Sequence, residues 1–143
     1  MSDELRLFIY RTMVIEGRAP KVAQISQALK ISLAKTKSTL SRLAEPHAIV
    51  LQENGEIWRA APFSAVPTTF PVQIGKRTYY GNCIWDALGI PAMLNRDATI
   101  ASSCACCNFD MPLHVRGGKL AGKSGTVHFA VPASHWYDDI VFT

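Results

Sequence analysis

No apolar stretch in the 143 residues approaches the ~20 that cross a bilayer. The opening residues Met1-Ser2-Asp3-Glu4 are acidic, where a secretory signal would be basic and then apolar. These absences argue against membrane-spanning and exported classes and predict a soluble, cytoplasmic protein. Cysteine is missing from the first 82 positions and from everything after 107, so all four thiols fall within 25 positions and include the adjacent pair Cys106-Cys107. That crowding argues against a disulfide framework spread over a small secreted fold, and for a reducing compartment with metal or redox use of the thiols. Charge is also sparse, at 18% Asp, Glu, Lys and Arg against 48% apolar residues, a globular balance with room for one ordinary domain or two small ones. The net charge of +4 is uneven: residues 1–60 hold nine Lys/Arg against six Asp/Glu, and residues 61–143 hold six against five. With no concentrated basic stripe, a solvated helical face explains the surplus at least as well as a nucleic-acid partner.

The periodicities predict an α+β chain. Leu5, Phe8, Ile9, Thr12 and Met13 follow helical spacing until Gly17 and Pro20; Val22, Ile25 and Leu29 repeat it. Ser32 offers an N-cap to a third helix carrying Leu33, Thr36, Leu40 and Leu43 inward. Residues 49–59, apolar on either side of Asn54-Gly55, read as a hairpin. Three helices and a hairpin are the order of a winged helix-turn-helix, whose third helix would offer Lys35, Lys37, Ser38 and Arg42 to a major groove. The expected units are therefore a winged-helix-like domain over 1–61 and a cysteine-bearing domain over 62–143, with Ala61 to Pro71 as a proline-containing linker. The second unit is expected to be a small mixed sheet with one or two helices. It would hold a strand pair around Gly75-Lys76, a helix from Cys83 stopped by Gly89 and Pro91, and short strands at Ala98–Ser103, Met111–Arg116 and Thr126–Val131.

The chemistry concentrates in Cys83-Ile84-Trp85-Asp86, a thiol and a carboxyl three apart at the start of a helix and so on one face. The positive end of the helix dipole there favours thiolate, the form that attacks or binds metals. Cys104-Ala105-Cys106-Cys107 contains a Cys-x-x-Cys, two zinc ligands from one turn. A structural zinc would need Cys83 or one of His114, His128 and His135 to complete the set, since the chain has no second tight pair. A thioredoxin-like role lacks its βαβ context, and inert buried thiols are the plainer reading for Cys106. His135-Trp136-Tyr137-Asp138-Asp139 reads as a turn with a packing tryptophan before it reads as a ligand cluster. His47 and His128, the latter in an alternating strand, read as surface or packing residues.

The stretch Tyr80 to Leu94, with Ser102-Ser103-Cys104 and the run His135 to Thr143, resembles the alkylmercury lyase (organomercurial lyase) family, and the similarity runs through the whole chain. The resemblance implies protonolysis of a carbon–mercury bond to a hydrocarbon and Hg(II), with no cofactor required. Cys83 would be mercury ligand and nucleophile. Asp86 would be a proton relay, because a carboxyl of ordinary pKa, about 3.9, is ionised at neutral pH. It also implies organomercury substrates, small thiols, and mercuric reductase as the Hg(II) acceptor. In that family a second catalytic cysteine follows a segment like Trp136 to Thr143, so the expectation is a chain truncated there or ended at a recoded codon. Cys104 and Cys107 are the remaining candidate metal thiols, although the family's counterpart of Cys104 is structural. The alternative reading is a thiol-based metal-binding or metal-sensing winged-helix protein without lyase turnover, in which DNA binding is salt-dependent and changes with metal.

Overall fold

A computed structural model describes residues 2–104, 106–122 and 125–138. Helix α1 (Ser2–Glu16) buries Leu5, Ile9, Thr12 and Met13, the stripe expected from their spacing. Helix α2 (Val22–Leu29) buries Val22 and Ile25 and ends on Lys30 in the left-handed conformation. Helix α3 (Leu33–Ala44) begins at Ser32, whose hydroxyl accepts from the Lys35 amide at 3.2 Å, and packs Thr36, Thr39, Leu40 and Leu43 inward. Strands β1 (Val50–Leu51) and β2 (Ile57–Ala60) form the hairpin, with Gly55 at φ +82 supplying the reversal that a side chain disfavours.

The expected linker is partly structured instead. Phe63 is 1% exposed and draws β3 (Phe63–Ser64) onto β2, giving a three-stranded antiparallel sheet. Strands β4 (Phe70–Ile74) and β5 (Arg77–Gly81) pair around Gly75-Lys76. With β6 (Ala98–Ile100), β7 (Leu113–Arg116) and β8 (Lys119–Ala121) they make a second sheet in the order β5-β4-β6-β7-β8. Every pairing in it is antiparallel, so the expectation of a mixed sheet is corrected. Neighbouring strands here are joined by hairpins or by antiparallel returns, and among the described residues no parallel crossover is made.

Two further expectations fail for physical reasons. Helix α4 (Ile84–Leu94) does not stop at Gly89 or Pro91; it continues to Asn95, which takes the left-handed cap. Burial of Ile90 and Pro91 against the core outweighs the local breaker signal. Residues 126–131 form no strand. The sheet is extended instead by β8, returned through Gly117 and Gly118, both at positive φ as a tight hairpin requires. The hydrophobic core is continuous from Leu5 and Ile9 through Phe63 and Val72 to Ile90, Ile100 and Val115. The Tyr79 hydroxyl donates to Val14 O and the Tyr10 hydroxyl to Ala61 O, each at 2.8 Å, tying α1 to both sheets.

Candidate active site

Cys83 is the N-cap of α4 and Asp86 lies in its first turn. Gly81, at the end of β5, lets the strand run close under the helix: a Cβ there would sit 2.5 Å from Ala87 N and 2.9 Å from Ala87 Cα. The site therefore depends on a missing side chain two residues before the thiol. Burial pushes the Cys83 thiol above its ordinary pKa, while the Asp86 and Trp85 amides facing the sulfur oppose the rise without closing a capping hydrogen bond. This corrects the thiolate expected from the helix dipole, since loss of solvent costs the charged form more than the helix end returns.

Asp86 is 6% exposed. Its Oδ2 lies 3.4 Å from an Arg59 guanidinium nitrogen and accepts from Asn82 Nδ2 at 3.1 Å. Arg59 stands on β2, so the hairpin of the N-terminal half supplies the countercharge to a carboxylate in the C-terminal half. Among the described residues, Asn82 Oδ1 is buried with no hydrogen-bond partner. Tyr10 is close enough to feel the charges of both Arg59 and Asp86, and burial raises its own pKa. Sequence reasoning missed Arg59, Asn82 and Tyr10. Asn82 stood inside the motif, but nothing in the local pattern marked Arg59, 27 positions before Asp86. A shallow crevice lined by Met13, Gly17, Phe63, Ser64, Tyr79 and Tyr80 takes in neither Cys83 nor Asp86.

The other thiols gather between β6 and β7. The Cys104 amide donates to Phe109 O, the Asn108 amide donates to Cys104 O, both at 2.8 Å, and Ser103 bridges Asp110. The amides of Cys106 and Cys107 and the Cys107 thiol face the Cys104 sulfur and lower its pKa, so Cys104 is the readier thiolate. All four cysteines are free. Among the described residues no three His, Cys, Asp or Glu side chains assemble into a metal-sized group, so Cys83, Cys104 and Cys107 are not one three-donor set and no fourfold zinc site is built among them. The thiols fall at two places because β5 and β6 lie on opposite sides of β4.

Those places share one end of the sheet. Tyr79 on β5 and Ile100 on β6 both stand opposite Val72 of β4, and both strands run antiparallel to it. Cys83 and Cys104 each follow four residues later, past the same sheet end. Their parent strands are two spacings apart, about 9.5 Å.

The aromatic run near the end of the described chain is a short 3-10 turn, Ala133–His135, in which Trp136 donates to Val131 O and packs on Phe129. His135 pairs with Asp138 at 2.7 Å on the surface. His47 stacks on Tyr137. His128 is exposed and in no strand. Asp139 to Thr143, where the second cysteine's approach segment was expected, lies outside the described residues. No helix among the described residues is long and apolar enough to cross a membrane.

A family model described as MerB, alkylmercury lyase, matches residues 63–143. Among solved structures, one titled as the crystal structure of the mercury-bound form of MerB2 is similar at a TM-score of 0.65 and 27% identity. The match covers 85% of this chain and 64% of that one, so the chain spans somewhat under two thirds of that relative's length. No curated protein matches.

Proposed function

The chain belongs to the alkylmercury lyase family, and from that premise we propose that it cleaves carbon–mercury bonds by protonolysis, giving a hydrocarbon and Hg(II), in mercury detoxification. The observation that carries this reading is the start of α4, where a half-buried thiol at the N-cap and a buried carboxyl in the first turn stand three residues apart. Mercury is soft and prefers thiolate. Cys83 gives up its proton as its sulfur bonds to the metal of an organomercurial. Asp86 collects that proton. The carbon–mercury bond then breaks with its electron pair on carbon, Asp86 returns the proton to that carbon, and mercury stays on the Cys83 sulfur until thiols complete its coordination.

Arg59 and Asn82 are positioning residues in this scheme. They hold the Asp86 carboxylate on one side while it waits for the proton. Catalysis is assigned to Cys83 and Asp86, and soft-metal binding to Cys83, Cys104 and Cys107. No cofactor is needed; organomercury is the substrate, small thiols are co-reactants, mercuric reductase is the acceptor of Hg(II), and the compartment is cytoplasmic. Residues 1–61 are assigned as a winged-helix-like unit and 62–143 as the lyase-like unit. Exposed Lys35, Lys37, Ser38 and Arg42 on α3 are the residues by which the first unit would touch DNA.

Headspace detection of benzene from phenylmercury in excess small thiol tests the proposal. Benzene is expected from the unmodified chain and not from Cys83→Ser or Asp86→Asn. Benzene undiminished in Cys83→Ser would overturn the assignment. Mercury-dependent DNA binding without benzene would favour the sensor reading.

A further inference from the structure

We propose that the turn bearing Cys104 and Cys107 is a second soft-cation site, a two-sulfur clamp that takes Hg(II) at the same sheet end as Cys83. The backbone bond from the Asn108 amide to Cys104 O closes one helix-like turn, and in such a turn side chains three apart are neighbours. Cys104 and Cys107 hold those two positions. The turn is held from outside by the Cys104 amide on Phe109 O, the Met111 amide on Ser102 O and the Ser103–Asp110 bridge. The backbone of the turn is thus fixed before any metal arrives. Cys107 is exposed and Cys104 partly so, so a cation carried by small thiols reaches them without opening the core.

The chemistry is thiol exchange. A mercury bis-thiolate loses both small ligands, which leave as thiols carrying the protons of Cys104 and Cys107, and the metal ends on the two protein sulfurs with no change of oxidation state. Two donors suffice because a soft cation of this kind is satisfied by two thiolates in line, unlike the four that a structural zinc takes. Once the first sulfur has bonded, the second attacks from the same turn at an effective concentration on the order of millimolar or above, which favours the pair over a free monothiol. Cys106, also exposed, lies between them in sequence but outside the i, i+3 pair, and is not assigned to the clamp. Placement of Cys83 and Cys104 past the same end of the sheet makes the clamp a local acceptor for Hg(II) leaving Cys83. That hand-off rests on the lyase reading; the clamp itself does not.

The test uses the full chain as Cys83→Ser, kept reduced with a phosphine. It is given one equivalent of mercuric chloride with excess N-acetylcysteine, and retained mercury is read by intact mass after desalting. One mercury per chain is expected, with two protons lost. Cys83→Ser/Cys107→Ser is expected to retain about tenfold less or lower, the advantage of the second donor having gone. Cys83→Ser/Cys106→Ser is expected to retain mercury undiminished. Both substituted thiols in these pairs are on the surface of the turn, and far-UV circular dichroism checks that folding is unchanged. Failure of Cys83→Ser to retain mercury, or retention unaffected by loss of Cys107, would overturn the clamp. Benzene release by the unmodified chain is measured in parallel and reports separately on the lyase reading.

Discussion

Replacing Arg59 by Met keeps most of the side chain's length and removes its charge, leaving Asp86 buried without its cation. The guanidinium and carboxylate are 3.4 Å apart with side chains 14% and 8% exposed. At an effective dielectric of about 20 that separation corresponds to about 5 kcal/mol of attraction, most of it offset by the desolvation of both charges. Breaking such a pair on one side costs about 3–5 kcal/mol, because the remaining charge has lost both water and partner. For a chain of this length, 3 kcal/mol corresponds to a fall in Tm of about 10 °C. The decisive assay is a double-mutant cycle in urea with Arg59→Met, Asp86→Asn and the pair together. A coupling of about 1–3 kcal/mol is expected, the double variant being more stable than the single losses add up to. Single effects that add to within about 0.5 kcal/mol would refute the ion pair as a working contact. Benzene release should also fall in Arg59→Met by about 10–100-fold, since a carboxyl displaced by an ångström loses alignment with the reacting carbon.

Other expectations concern separate parts of the molecule. Alkylation with iodoacetamide, mapped by peptide mass spectrometry, should modify Cys104 before Cys83 at neutral pH, and Cys83 labelling should rise only at pH above the ordinary thiol range. Because the folded-state pKa of Cys83 is raised, its contribution to stability is full below the ordinary thiol value and lost as pH climbs through the raised one. Cys83→Ser should flatten that alkaline decline in urea midpoints. Gly81→Ala forces a Cβ against the backbone of Ala87 and should destabilise the fold by about 1–3 kcal/mol while lowering benzene release; a wild-type midpoint would show that the helix start has room. Lys30→Gly relieves a left-handed helix cap at φ 52 and should raise stability by about 0.5–1 kcal/mol in thermal unfolding, with release from phenylmercury unchanged.

What could be read from the sequence was whatever is written within a turn or two of helix. The inward stripes of α1 to α3, the Ser32 cap and the Asn54-Gly55 reversal are local patterns, and the residues behave as those patterns require. Cys83 is a step outside that pattern: it stands as the extended N-cap of α4, with Asp86 three positions on in the first turn. Gly89 and Pro91 misled because their local preference is small beside the core contacts of α4, and Gly89 itself accommodates Pro62. Thr126 to Val131 had alternation yet forms no strand, whereas β8 had three exposed residues and no alternation to reveal it. Arg59 was beyond reach for a different reason: its partner is chosen by how the hairpin meets α4, and no spacing rule encodes that meeting.

The origin of that guanidinium bears on how the protein can be divided. The residues that match the family model begin at position 63, four positions after Arg59. A fragment cut at that border would keep the thiol and the acid, yet its carboxylate would be stranded and Tyr79 and Phe63 would lose α1 as a roof. A graft of the same fragment behind an unrelated leading module would fail likewise unless the new module brought a cation to the same point in space. The first sixty residues thus supply the countercharge of Asp86, and any division of the chain has to keep the Arg59–Asp86 junction as a unit.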